Sequence, residues 1–343
     1  MLVLAIETSC DETAVSLLES GSSVRVLHEE ISSQIVLHAQ YGGVVPELAA
    51  REHLRNLPLM INQLMEQGKL ALPDIDLIAV TRGPGLKGCL LIGMDFAKGM
   101  ALGAGKPILG VNHIEGHVLV PMLDNPELTF PYLALIVSGG HTEIVVVRSV
   151  GIYEIVSRTI DDAAGEAFDK SANLLGLDYP GGAKLAALAD AATGEIPKEF
   201  ELPRVMRGAE GFSFSGVKTA IALLVKRQQK VLTDPEAKGL LAKSIQAAII
   251  ATLIEKLQAA IKQTGITQVA VSGGVSANRA LRAAVSSIPR VRAFLPSSLH
   301  CMDNAAMIGY TALRRYEAGD RGDLSMGALS RWPVEEMHIG KGR

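Results

Sequence analysis

The segment His113-Ile114-Glu115-Gly116-His117 sets two imidazoles four residues apart, and Asp303 lies far downstream. On a helix of about 3.6 residues per turn, four steps bring both rings to one face, about 40° apart. Two imidazoles and a distant carboxylate form the donor set of a facial triad with positions left open for a ligand. A hydrolytic zinc helix places Glu directly after the first His, where it serves as general base. Here Glu115 stands two residues on, roughly 200° around the helix from His113, and is expected to point away from a metal. The pattern predicts a metal that holds a ligand rather than one that activates a hydrolytic water. The alternative is two histidines in cap and core roles, with Asp303 a plain N-terminal cap of a helix over 305–316.

Three small-residue turns follow apolar strands: 8–12, 138–142 and 272–276. Glycine lets backbone N–H groups converge on an anion, and a helix N-terminus adds donors. Ser138-Gly139-Gly140 and Ser272-Gly273-Gly274 together point to a phosphate and nucleoside site, although each alone reads as an ordinary tight turn. Neither the P-loop pattern nor G-x-G-x-x-G occurs at these strand ends. Asp162, Glu166 and Asp169 fall near one helical face and could accept from ribose hydroxyls or an amine, against the alternative of a solvated face. Tyr179-Pro180-Gly181-Gly182 is a turn that could admit a ligand close to backbone. Phe214 and Lys218 could offer stacking beside a cation, or Phe212 and Phe214 could be core.

The elements that must position these groups repeat along the chain. Residues 4–13 align without a gap on 133–142, each an apolar strand, a tight polar turn and a second apolar strand over 14–18 or 143–148. Such a match suggests two duplicated lobes, each opening on a hairpin. Each lobe continues strand-turn-helix. Strand 76–81 leads through Gly83-Pro84-Gly85 to helix 89–102, and strand 107–111 feeds the helix of His113. In the second lobe, strand 268–271 precedes helix 277–286. Alternating strands and helices imply sheets with crossover helices. Pro121, Pro126 and Pro131 mark the boundary near 124–130. Residues 41–67 read as one long helix with a stripe of Leu54, Leu57, Ile61, Leu64 and Met65, either core or a subunit interface. A second long helix spans 237–263.

Bulk properties narrow the class. A chain of 343 residues suits two lobes, and 48% hydrophobic residues with only 4% aromatics is an Ala/Gly/Leu/Val-rich α/β composition rather than a disordered one. A net charge of −3 gives no global basic field, so nucleic-acid contact must be local or shared with a partner. Cys10, Cys89 and Cys301 form no C-x-x-C pair and fit a reducing, cytoplasmic compartment. The N-terminus is unlike a signal or transit peptide, and no apolar run is expected to span a bilayer.

Taken in order, the motifs Ile6-Glu7-Thr8-Ser9-Cys10-Asp11-Glu12-Thr13, Tyr41-Gly42-Gly43-Val44-Val45-Pro46-Glu47-Leu48, Gly83-Pro84-Gly85, His113 to His117, Val137-Ser138-Gly139-Gly140-His141-Thr142, 161–170, Gly273-Gly274-Val275-Ser276-Ala277-Asn278 and Asp303-Asn304 run nearly end to end. In them the chain resembles the bacterial TsaD family, tRNA threonylcarbamoyladenosine synthase subunits once called glycoproteases. The resemblance implies an α/β fold of two ribonuclease-H-like lobes of the actin/hexokinase/Hsp70-like (ASKHA) superfold with a cleft between them. Its lobes would be 1–124, with a helical insertion near 42–67, and 131–330, with an insertion near 160–235, followed by a tail over 331–343.

It implies one divalent metal, Fe(2+), with Zn an alternative in isolated protein, on His113, His117 and Asp303. Threonylcarbamoyl-AMP would meet Ile136, Val137, Ser138, Gly139 and Gly140 with its phosphate, and Asp169, Gly182 and Asn278 with its nucleoside. The activity implied is transfer of the threonylcarbamoyl group to the N(6) amine of adenosine 37 in tRNAs reading codons that begin with A. In that activity His113 and His117 would act through the metal, and Glu12 would position or deprotonate the amine. Implied partners are tRNA, the paralogue TsaB on residues 42–67, the P-loop ATPase TsaE and a TsaC-type synthase supplying the donor. Lys87, Arg204, Arg207 and Lys218 are candidate tRNA contacts. Ala183 departs from the family's Pro-Gly-Gly-Pro turn, which leaves the pocket near Gly182 less defined. The competing readings are a metal-dependent peptidase, a small-molecule kinase on the same fold and a non-catalytic scaffold.

Overall fold

The structure is a computed structural model, and it describes residues 1–202, 211–297 and 299–340. Among the described residues, ten strands fall into two five-stranded sheets. The first holds β1 (Leu2–Glu7), β2 (Glu12–Ser20), β3 (Val24–Ser33), β4 (Leu77–Gly83) and β5 (Ile108–Asn112) in the order β3-β2-β1-β4-β5. The second holds β6 (Tyr132–Val137), β7 (Thr142–Ser149), β8 (Ile152–Arg158), β9 (Gln268–Ser272) and β10 (Arg292–Phe294) in the order β10-β9-β6-β7-β8. Read from β8, the second sheet repeats the order of the first, so the duplication read from the hairpins extends to the whole sheet.

By contacts the chain forms two compact units: 1–130 with 147–154 and 296–343, and 131–146 with 155–295. These units are not the contiguous lobes 1–124 and 131–330. The difference has a packing cause in unit 1. Strand β1 is apolar and buried on both faces, as a central strand covered on both sides must be. Leu4 and Ile6, with Val15 and Leu17 beside them, pack against Leu57, Ile61 and Leu64 of the helix Pro46–Gly68 and Met94 and Ala97 of the helix Lys87–Ala104. The opposite face carries Ala5 and Leu18. It is covered by the helix Ala305–Glu317, whose Gly309 lies so close that an added Cβ would sit 2.3 Å from Leu18 Cδ1 and 3.0 Å from Ala5 Cβ. The segment after Pro296 therefore completes the first core.

Other boundaries also differ from expectation. The helix expected over 41–67 begins at Pro46, with proline at a first-turn position where its missing N–H costs nothing, and Gly42 is left-handed at φ 71°. Of its expected stripe, Leu57, Ile61 and Leu64 are buried, whereas Leu54 is 59% exposed. Strands β3 and β8 were not anticipated.

The helix Pro235–Thr264 is N-capped by Asp234, which accepts from Glu236 N at 3.0 Å. It is long and apolar enough to pass for a membrane span, contrary to the sequence reading. Its Leu241, Ile245, Ile249, Leu253 and Leu257 are buried in the core of unit 2, which accounts for that composition.

Gly309→Val forces branched carbons against Leu18 and Ala5. We expect a loss of about 1–3 kcal/mol in urea unfolding; an unchanged midpoint would show that the helix shifts freely on its sheet.

Candidate metal centre

Strand β5 ends at Asn112, whose side-chain oxygen accepts from Ile114 N at 2.9 Å and Glu115 N at 3.1 Å and so starts the helix His113–Leu119. Its amide donates to Trp332 O at 2.9 Å, fixing the cap itself. The helix packs on Ala305–Glu317 through Gly116, where an added Cβ would lie 3.1 Å from Met307 Cγ. The two rings that follow from this placement stand edge to face, 4.8 Å between centroids.

Asp303 supplies the third donor. The helix after it is capped by Asn304, whose oxygen accepts from Met307 N at 2.7 Å, so Asp303 is released from the capping role. Asp303 Oδ1 lies 3.0 Å from His117 Nε2 and 3.6 Å from His113 Nε2. One donor atom from each of the three falls within 4.8 Å of the others. His113 and His117 are buried, and Asp303 is half-buried. This is a possible metal site.

Glu7 is the residue that sequence reasoning left out of the centre. Its Oε2 lies 3.0 Å from His113 Nδ1 and accepts from Thr81 Oγ1 at 2.6 Å, while Oε1 accepts from Ser9 N. A carboxylate on Nδ1 sets the ring tautomer and turns Nε2 toward Asp303, the usual support of a ligating histidine. The available signal was an acid closing an otherwise apolar strand, Leu2-Val3-Leu4-Ala5-Ile6-Glu7. The donor set and this support fit a divalent cation. His117 Nδ1, by contrast, is buried with no hydrogen-bond partner among the described residues.

Titration reflects the crowd of acids. Burial pushes the Glu7 carboxyl up, but the His113 charge and hydrogen bond outweigh it, and the net direction is down. Burial disfavours the charged form of His113, yet Asp303 and Glu7 beside it raise its pKa to about 9. Glu12, at the start of β2, is lifted to about 9 by burial and then by the Asp303 and Asp11 carboxylates. Ser33 Oγ donates to it at 3.3 Å.

Glu115 points away from this centre as expected. Its Oε1 accepts from Tyr153 Oη at 2.7 Å and Arg315 Nη1 at 2.8 Å, and Arg315 binds Asp320 in turn. A general base held in a buried ion pair cannot reach water at the metal.

Unit 2 carries the remaining candidates. Ile136 and Val137 are fully buried in β6. Ser138 N donates to His141 O at 2.8 Å, so it is not a free donor, whereas Gly139 and Gly140 N–H have no partner among the described residues. Gly165 and Gly273 pack against this turn. An added Cβ would lie 2.6 Å from Ser138 O or 2.5 Å from Val137 O, so both positions must stay bare. Asp169 Oδ1 accepts from Gly181 N at 2.9 Å and Gly182 N at 2.7 Å, holding the turn that starts the helix Gly182–Ala191. Asn278 caps the helix Arg279–Ser286 and donates to Gln246 Oε1 at 2.7 Å. Ser272 and Ser276 offer buried hydroxyls without partners among the described residues.

Asp162 and Glu166 are paired with Lys170, leaving Asp169 as the member of that helical face not tied to the lysine. Phe212 and Phe214 are core. Lys87 and Lys218 are exposed, and Arg204 and Arg207 lie outside the described residues.

Comparison with known proteins matches the chain over residues 25–310 to the family TsaD: tRNA N6-adenosine threonylcarbamoyltransferase. A protein of Nitrosospira multiformis named tRNA N6-adenosine threonylcarbamoyltransferase is 44% identical over 354 residues, covering 99% of each chain. Among solved structures, component A of the (R)-2-hydroxyglutaryl-CoA dehydratase of Acidaminococcus fermentans superposes with a TM-score of 0.55 at 16% identity, over 93% of this chain and 99% of that one. HypF of T. kodakarensis does so at 0.58 and 14%, over 93% of this chain and 48% of that one. These likenesses agree with the two matching sheets, and the fold is α/β of the two-lobed ASKHA kind.

Two outcomes follow for the centre. Glu7→Gln should weaken divalent-metal binding about 10–100-fold in a calorimetric titration, with the fold intact; unchanged affinity would remove Glu7 from the centre. In the metal-free protein His113 holds a proton up to about pH 9. Coordination must displace that proton, so affinity should climb with pH through neutrality and level off near pH 9, with proton release seen in buffers of different ionisation enthalpy.

Proposed function

This chain belongs to the TsaD family, and from that premise we propose that it transfers the threonylcarbamoyl group from threonylcarbamoyl-AMP to the N(6) amine of adenosine 37 in tRNAs reading codons that begin with A. The observation that carries the reading is the triad His113, His117 and Asp303 beside a Glu115 locked to Arg315. That pairing supports a ligand-holding centre and speaks against the peptidase reading, which needs a free base. The metal, for which Fe(2+) is proposed with Zn an alternative in isolated protein, would be held by His113, His117 and Asp303. When bound it would supply Lewis-acid polarisation of the threonylcarbamoyl group.

In the reaction the adenosine nitrogen bonds to the carbamoyl carbon, the carbon–oxygen bond to AMP breaks, and one amine proton leaves. Glu7 keeps the His113 ring oriented throughout. Glu12 is proposed to hold or accept the amine proton. Asp303 is among the charges that raise Glu12, so coordination of Asp303 by a cation would lower the Glu12 carboxyl toward the range useful to a general base. Free N–H groups of Gly139 and Gly140 would receive phosphate oxygens, and stabilising charge on the leaving AMP favours bond breaking. Asp169, Gly182 and Asn278 would shape the nucleoside site, with Asp169 and Asn278 acting partly through the turn and helix they hold.

TsaB would dock on 42–67, where Leu54 and Leu59 are 59% and 64% exposed. TsaE, a TsaC-type synthase and tRNA complete the proposed set, in the cytoplasm, a reducing compartment that suits cysteines forming no disulfide among the described residues.

The test is transfer of labelled threonylcarbamoyl from its adenylate to unmodified tRNA, with the partner proteins added. His113→Ala and Asp303→Ala should each lower transfer on the order of 100-fold or more. Full transfer by both folded variants would move the chemistry away from the triad.

A further inference from the structure

Between residues 211 and 233 the chain carries Lys218, Lys226, Arg227 and Lys230 and no carboxylate, in a protein of net charge −3. All four are exposed, and none of their side chains has a partner among the described residues. Lys226 and Lys230 line a groove of about 470 Å³ in unit 2, at the junction of the helix Ser215–Arg227 and the short turn Gln229–Leu232. Val225 and Leu232 give it apolar walls, and Gln229 and Thr233 add an amide and a hydroxyl. Leu232 is 40% exposed and Leu223, on the preceding helix, 51%.

Unpaired ammonium groups lining an amide-bearing apolar groove match a phosphodiester strand. The lysines neutralise successive phosphates, the amide and hydroxyl reach sugar oxygens, and the apolar wall takes a ribose or base face. Charge complementarity favours RNA over a protein partner here, because a local excess of cations in an otherwise acidic chain creates the field that draws a polyanion.

We propose that this groove is a backbone-docking surface for the RNA substrate, resting on the transferase reading for the identity of that RNA. It reads no base, so it contributes affinity and on-rate without choosing the sequence. The chemistry of transfer does not use it. Loss of the groove should therefore raise KM for tRNA and leave kcat alone.

The experiment compares wild type, Lys226→Ala/Lys230→Ala and the charge-matched control Lys198→Ala/Lys262→Ala, each with partners. It measures tRNA binding across a salt series and transfer kinetics. The groove variant is expected to bind several-fold more weakly, with a slope of log affinity against log salt shallower by about 1.5, and with KM raised at constant kcat. The control should keep the wild-type slope. A groove variant with wild-type slope and KM would overturn the proposal and leave Lys226 and Arg227 as counter-charges to a helix C-terminus. Equal losses in the control would overturn it too, as an effect of net charge. Because binding and transfer are read separately, wild type that binds tRNA without modifying it sinks the transferase reading, while the salt slope still decides the groove.

Discussion

A carboxylate shut away from water must be met by hydrogen bonds or by positive charge. Glu7 is 1% exposed, at the end of the central strand of the first sheet. Ser9 N, Thr81 Oγ1 and His113 Nδ1 answer it. Those contacts tie the first hairpin turn, β4 and the helix after β5 to one pair of oxygens. The direction of His113 Nε2 follows from them, and so does the donor geometry with His117 and Asp303. The ion pair of Glu115 with Arg315 braces the same helix from its other side. One helix of seven residues is thus held by acids on opposite faces, one serving the centre and one serving the frame.

The triad could be read from the chain because an i, i+4 pair needs only a helix to bring its rings together, and a strand ending at Asn112 makes that helix start where the first histidine stands. Glu115 was equally accessible, since its angle around the helix follows from residue count. Glu7 was harder. Its contact with His113 spans more than a hundred residues, and nothing local distinguishes a supporting acid from a turn acid. Asp303 was ambiguous until Asn304 proved to be the cap. In unit 2 the small-residue turns were legible, but their hydrogen bonds were not. Ser138 N, Asp169 and Asn278 are each committed to neighbouring backbone or side chains. The outer strands β3 and β8 escaped notice because each lies at a sheet edge, half-exposed, with mixed polar and apolar residues instead of a clean alternation.

The two hairpins show how a duplicated frame diverges. The strand position held by Glu7 in the first is Ile136 in the second, fully buried among apolar neighbours. The first turn thereby gained acids and a histidine partner. The second kept a bare backbone, with Gly139 and Gly140 open and Gly165 and Gly273 pressed against it. The same order of strands supports a cation-friendly end in one unit and an anion-friendly end in the other.

The return of residues 296–343 to the first unit has a consequence for synthesis on the ribosome. The sheet made from the first 112 residues keeps the face of Ala5 and Leu18 uncovered until the helix Ala305–Glu317 has been translated. Unit 2, whose residues all precede 296, can close first, although domains generally fold in order from the N-terminus. The nascent chain must carry a bare apolar sheet for most of its elongation, and a chain cut short before Asp303 has neither that cover nor the third donor. The donor set and the cover of the first sheet are therefore both assembled only once residues 303–317 have been made.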